Sequence, residues 1–329
     1  MQFHRRGILK FAAGVAAIPI GMPAILRTAR ADTYPSHPVH LIVPQAAASS
    51  TDIQARLIGQ WLQDHLGQPF VVDDKPGAGG NVGTEFVVHA TPDGFTLLTV
   101  NSQNAISPAL YPNLGFNFLK DIAPVSLISL TALIMEVTPS LPVTTVPEFI
   151  AYAKANPGKI NMASAGVGGP QHLAGELFKT MTGLNLVHVP YRGSTPAITD
   201  MLAGNVQLMF DVTGTALPQI KAGKLRALAV TTKERVAALP DVPSLSDFVP
   251  GYESEAWVGM GAPAGTPKDI IDKLNKQIND ALADATIKQR LTDIGVIVRG
   301  SSPADFGKFC ASETAKWGKV IRDAGIKAD

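Results

Sequence analysis

The sequence has a single cysteine, Cys310, so neither an intramolecular disulfide nor a cysteine-built metal site is available to it. Charge is sparse as well: 17% of the 329 residues are Asp, Glu, Lys or Arg, and no acidic residue occurs in the first 31 positions. Those positions carry Arg5, Arg6, Lys10, Arg27 and Arg30; removing these five from the 28 basic residues leaves 23 against 27 acidic, a net of −4. A body of that charge offers no basic field to attract nucleic acid or an anionic membrane surface. Beyond the first 31 positions, no run of eighteen uninterrupted apolar residues occurs, which excludes a readable membrane-spanning helix there. What the chain does have is 46% hydrophobic residues. That is enough for a large core in a chain long enough to divide into two domains.

The first 31 residues have the three parts of an export signal: a basic start His4 to Lys10, an apolar run Phe11 to Leu26, and Ala29-Arg30-Ala31 before Asp32. Gly14, Pro19, Gly21 and Pro23 break the run, so cleavage between Ala31 and Asp32 is expected rather than a retained anchor. The start Arg5-Arg6-Gly7-Ile8-Leu9-Lys10 resembles the twin-arginine pattern, and the general secretory route stays open beside it. Either route implies a periplasmic location.

From Val39 to Val100, short apolar runs alternate with amphipathic stretches: strands at Val39–Val43, Phe70–Val72 and Thr96–Val100, with helices at Asp52–Leu66 and about Asn81–His89 between them. This alternation predicts a parallel sheet covered by helices. The apolar stretch Val125–Val137 is long enough to pass from one domain to another. A second set follows, with helices at Pro147–Ala155, Pro170–Thr182 and Pro196–Ala203 and strands at Ile160–Ala163, Leu186–Val189, Val206–Phe210 and Ala227–Val230. Trp257–Met260 is a return strand, and helices at Lys268–Leu282, Ile287–Ile294 and Pro303–Ala324 close the chain. The expected fold is α/β in two domains, 32–126 plus 253–329 and 127–252, joined by two crossing strands, with the C-terminal helices returning to the first. A cleft between them collects strand-to-helix loops.

Two loops, Pro44–Thr51 and Ser164–Gly169, each lead from a strand end to a helix start. Their small residues let backbone N–H groups approach a ligand, and a helix N-terminus favours an anion, so the pair could hold a carboxylate without Arg or Lys; tight turns alone would use the same residues. Asp211, at a strand end, could meet a ligand ammonium or hydroxyl or accept loop N–H groups. Arg192 is the cation beside these loops, and a solvated role suits it equally.

Other chemistries fit poorly. Pro76-Gly77-Ala78-Gly79-Gly80-Asn81-Val82-Gly83 places its third glycine one position late for a dinucleotide fingerprint and lacks the Lys of a P-loop, so a structural turn is expected. Ser164 lacks the first glycine of a nucleophile elbow, although His172, His188 and Asp211 could be combined with it on paper. No His-Glu-x-x-His occurs among the seven histidines, and no metal or cofactor is expected. Cys310 reads as a small core residue.

Across residues 34–329 the sequence resembles the Bug family of solute-binding receptors that serve tripartite tricarboxylate transporters. The resemblance rests on Leu41-Ile42-Val43-Pro44, Thr51-Asp52, Pro76 to Asn81, Pro92-Asp93-Gly94, Ala163-Ser164-Ala165-Gly166, His172 to Phe178, His188-Val189-Pro190-Tyr191, Phe210-Asp211, Lys221 to Val230, Leu239 to Pro243 and Ala262 to Pro267 in that order. It implies a non-enzymatic, two-domain Venus-flytrap periplasmic binding protein that holds a small organic carboxylate and passes it to membrane permease subunits. By the same resemblance, first-domain contacts would come from Gln45, Ala48, Ser49, Ser50 and Thr51 and from the stretch Asn101-Ser102-Gln103-Asn104. Second-domain contacts would come from Ser164, Gly166, Gly168, Gly169 and Gln171, from Gly193, Ser194 and Thr195, and from Asp211. The chain departs from the family where an aromatic residue and paired glycines are usual, having Gln45, Ala48 and Ser49, and after Asp211, where Val212 and Gly214 stand for Asn and Pro. Two other readings remain open at this level: a ligand sensor for a signalling partner, and a secreted hydrolase using Ser164.

Overall fold

The structure, a computed structural model, describes residues 34–327, and the expected export signal lies outside these residues. The chain forms β1 (Val39–Val43), α1 (Ser50–Leu66), β2 (Phe70–Asp74), α2 (Asn81–Val88), β3 (Thr96–Asn101), α3 (Ser102–Leu110), α4 (Phe118–Asp121) and the long β4 (Ile122–Val137). There follow α5 (Val146–Ala155), β5 (Asn161–Ser164), α6 (Pro170–Thr182), β6 (Val187–Pro190), α7 (Ser194–Leu202), β7 (Leu208–Val212), α8 (Thr213–Lys221) and β8 (Arg226–Val230). The last part is β9 (Glu255–Pro263), α9 (Lys268–Ala283), α10 (Ala285–Asp293), β10 (Ile297–Val298) and α11 (Pro303–Ala324).

The strands lie in the order β2-β1-β3-β9-β4-β7-β5-β6, with β8 and β10 also paired to β4. β1 is parallel to β2 and β3, and β5 is parallel to β6 and β7, as helical crossovers require. The return strand β9 is antiparallel to both β3 and β4, so the sheet is mixed rather than wholly parallel. β4 joins the two halves: Ile122–Ala132 pairs with β9, and Leu133–Val137 pairs with β7. The chain comes back through Tyr252, buried beside Phe178 and Phe210, to Ser254, whose N–H donates to Thr231 O, and then into β9.

Local signals explain the element ends. Ser49 caps α1 by accepting the Asp52 N–H, and Gly67 ends it in the left-handed region at φ 78°. Ser302 caps α11, with Pro303 in its first turn and Gly325 at φ 64° beyond it. One core holds Leu133, Met135, Phe149, Phe178, Phe210 and Tyr252; another holds Leu41, Ile58 and Leu97 with Ile271, Leu274, Ile278 and Leu291 of α9 and α10. The C-terminal helices thus return to the first half, and each fully buried aliphatic side chain contributes about 1.5–3 kcal/mol of transfer free energy. Cys310 is buried in a core with Phe306 and Trp257, and burial pushes its thiol up to about 12.

Several expected boundaries move. α1 begins at Ser50 rather than Asp52 and α7 at Ser194 rather than Pro196. β7 runs to Val212, placing Asp211 inside the strand rather than beyond its end. The short helices α3 and α8, unforeseen from the sequence, carry Pro108 and Pro218 in their interiors. The glycine-rich segment is a turn that fixes α2 against the first loop. A Cβ on Gly83 would stand 2.8 Å from Lys75 O and 3.0 Å from Pro44 Cα, so only glycine allows that approach.

Candidate functional site

β1, β3, β5 and β7 each lead into a helix, β1 and β5 through a loop, and residues from all four junctions border one cavity of about 310 Å3. Gln45, Ser50 and Thr51 come from the β1–α1 junction, Asn101 and Ser102 from β3–α3, Pro170 and Gln171 from β5–α6, and Val212 and Gly214 from β7–α8. Thr131 of β4 and Ala256, Trp257 and Val258 of β9 border the cavity where the two strands pair, and Ile294 completes it. Larger hollows lie beside Trp61 and Arg290, between α1 and α10, and along Val82 and Phe86 of α2; neither collects more than one strand-to-helix junction.

None of the cavity's lining residues carries a charged side chain. Its electrostatics therefore come from peptide dipoles and neutral hydrogen-bonding groups. Four helix starts, each with N–H groups that no preceding turn can satisfy, make the cavity favourable to an anion, each start by about 0.3–1 kcal/mol and up to about 2 where partly buried.

The first loop is held from beneath. Ala48, at φ 61°, donates its N–H to Asp52 Oδ2 at 2.8 Å, and Arg56 Nε lies 2.7 Å from Asp52 Oδ1. Partial burial would raise the Asp52 carboxyl, but Arg56 and the Ala48 N–H hold it below the usual range. Burial and the charge of Asp52 raise neighbouring Asp74. At the cavity, the Thr51 hydroxyl donates to Gln45 Oε1 at 2.9 Å.

Of the residues expected from the sequence, Gln45, Ser50, Thr51, Ser102 and Gln171 line the cavity; Ala48, Ser49, Gln103, Asn104, Ser164, Gly166, Gly168, Gly169, Gly193, Ser194, Thr195 and Asp211 do not. Ser49 is spent on its cap. Asn104 is an internal strut: its Oδ1 accepts the Asn101 N–H at 2.8 Å and its Nδ2 donates to Thr84 Oγ1 at 2.7 Å. Asp211 is buried and accepts from Ser194 Oγ at 2.6 Å and from Thr215 Oγ1, tying the starts of α7 and α8 together. Burial raises its pKa despite those bonds. Thr131 of β4 and Ala256, Trp257 and Val258 of β9 lie inside strands, away from any strand-to-helix loop, and carry no local sequence signal of a site.

Ser164 is likewise internal. It is buried, 2.7 Å from His188 Nε2, and donates to Gly166 O at 3.0 Å. The rings of His188 and His172 stack at 3.6 Å, and His172 Nδ1 accepts the Gly168 N–H at 3.0 Å. Burial, then the facing His172, lowers His188 to about 4. Burial would raise Glu176, yet His172 and Lys179 keep it below the ordinary range. With Asp211 bonded to Ser194 and Thr215, no Ser-His-Asp triad assembles around Ser164 among the described residues; the cluster braces the loop ahead of α6. Ser164→Ala is expected to cost about 1 kcal/mol of stability and to leave cavity affinity within about twofold, checked by denaturation and calorimetry.

Residues 54–326 match the sequence profile of the tripartite tricarboxylate transporter family receptor, TctC. The chain belongs to this receptor family. Protein BugT of Bordetella pertussis is 35% identical over 316 residues, 95% of this chain and 97% of that one. The solved structure of R. palustris Rpa4515 with adipate is 36% identical, covers 90% of this chain and 100% of its own, and superposes with a TM-score of 0.77. MatC from Rhodopseudomonas palustris, with bound malate, is 32% identical, covers 88% and 100%, and gives 0.73. This TctC-family receptor thus has the two-domain α/β binding-protein fold, a mixed sheet flanked by helices.

Proposed function

We propose that the protein is a non-enzymatic periplasmic receptor that closes on a small organic carboxylate and delivers it to the permease subunits of a tripartite tricarboxylate-type transporter. The observation that carries this reading is the uncharged cavity at which four helix starts converge. Dipoles and N–H groups hold an anion there without a fixed cation, which leaves release to the permease easy. The adipate and malate held by relatives support the ligand class. Residues 32–126 with 253–329 and residues 127–252 would form the two closing domains, after an export signal at 1–31 is removed.

A thermal-shift and calorimetric screen of mono-, di- and tricarboxylates, amino acids, sugars and nucleotides tests the binding step. A carboxylate at a hundred times its Kd stabilises the fold by about 2.7 kcal/mol. A response confined to sugars or nucleotides overturns the reading. Uptake of that carboxylate into vesicles bearing the permease, dependent on added receptor, tests delivery.

A further inference from the structure

α3 and α6 start on opposite sides of the proposed domain boundary, and both starts border the cavity, through Asn101 and Ser102 and through Pro170 and Gln171. Beyond the cavity the two helices stay in contact. Ile106 and Leu110 of α3 share one apolar core with Leu173 of α6 and with Trp317, Val320 and Ile321 of α11. Ile106 and Leu173 have no exposed surface, and Trp317 is 1% exposed. The packing is close: a Cβ on Gly168, in the loop ahead of α6, would stand 2.3 Å from Leu110 Cδ1. Through Glu313, Trp317 is further tied to Trp257 of β9. By the proposed division α3 and α11 belong to the first domain and α6 to the second, so this core crosses the boundary.

The other wall of the cavity is built differently. α1 packs on β1, β2, α9 and α10 of its own half, and no apolar core among the described residues joins it to α7 or α8. α8 meets the first half beside β4, where Ala216 and Ile297 of β10 share a small core and Thr213 Cβ lies 3.4 Å from the Cβ position of Gly295. Domains move relative to one another unless a large apolar interface joins them, and that interface is on the α3–α6 side.

We infer that the two domains pivot on the α3–α6–α11 core, which stays packed in the open and the closed receptor, so that the cleft opens between the start of α1 and the start of α8. The inference rests on the closing-receptor reading and adds which side moves. Opening on the α3–α6 side would bring Ile106, Leu173 and Trp317 into water, whereas parting α1 from α8 breaks no such core. The starts of α3 and α6 therefore keep a fixed spacing and form a ready half-site, which the starts of α1 and α8 complete on closure.

The test is spin-label distance measurement on the protein carrying pairs of introduced cysteines, with the buried Cys310 replaced by alanine. One pair, Gln60→Cys with Lys221→Cys, spans α1 and α8; the other, Thr180→Cys with Lys319→Cys, spans α6 and α11; all four native side chains are exposed. Adipate and malate are the probes. In the free protein the α1–α8 distribution should be the broader of the two. With a bound probe its mean should shift by more than about 2 Å, while the α6–α11 mean moves by less than about 1 Å. Leu173→Ala, which opens a gap in the shared core, should broaden the α6–α11 distribution; Leu274→Ala, the same truncation in the first half's own core, should not. An α6–α11 distribution as broad as the α1–α8 one in the free protein, a larger shift of the α6–α11 pair on binding, or the same response to both truncations overturns the inference. Failure to bind any carboxylate is a different result, one that defeats the receptor reading, and the free-protein distributions still decide the pivot.

Discussion

Replacing Glu136 by methionine is expected to stabilise the protein at pH 8 and to have little effect at pH 4. Glu136 lies in β4 between β7 and β8, fully buried, with neither carboxyl oxygen partnered among the described residues. Burial, then the nearby charge of Asp211, raises its pKa well above the ordinary carboxyl range. The folded state therefore keeps this proton in the interval above about pH 4.3 where the unfolded chain releases it. Stability contributed by the protonated form is complete below the unfolded pKa and declines as pH rises toward the folded one. Methionine has similar length and no proton to lose, so its advantage should grow from pH 4 to pH 8. Denaturation midpoints measured across that range check this; parallel curves for the two proteins would sink it.

Glu313→Leu should destabilise the protein by about 2–6 kcal/mol, because it orphans two buried indole donors at about 1–3 kcal/mol each. Glu313 Oε2 accepts from Trp317 Nε1 at 2.9 Å and from Trp257 Nε1 at 3.2 Å. The carboxylate thereby joins α11 to β9, and both tryptophans are buried. Glu313→Gln keeps an acceptor oxygen for the indoles and should lose clearly less. The comparison is read by chemical denaturation, and equal losses in the two variants would assign the effect to charge rather than to hydrogen bonding.

The legible parts of the fold were those with a strong period or an unambiguous stop. α6 and α11 run over the expected residues, since proline opens each and glycine ends each. α3 and α8 were hidden because Ser102 to Leu110 and Thr213 to Lys221 combine polar and small residues with an internal proline, leaving no apolar stripe to read. Their absence from the expectation mattered at the cavity, where two helix starts were foreseen and four converge. Residue type alone also could not separate Ser102, which faces the cavity, from Asn104, two positions along and turned inward to Thr84. Ser164 was expected at the site through the family resemblance, and Asp211 through that and its expected place just beyond a strand. Their commitments to Ser194, Thr215 and His188 are made by segments distant in sequence, and only the folded arrangement brings those together.

The strand order has a consequence for how the molecule is made. β9 lies between β3 and β4, yet it is synthesised after both, once about 120 further residues have left the ribosome, which takes about 6–24 s at bacterial elongation rates. Until then the edges of β3 and β4 that will receive it have no partner, and the core that α9 and α10 complete is open. The second half, whose strands β5 to β8 pair among themselves and with β4, has all its sheet partners earlier. The first half to be translated is thus the last to close, its sheet completed by a strand made more than a hundred residues later.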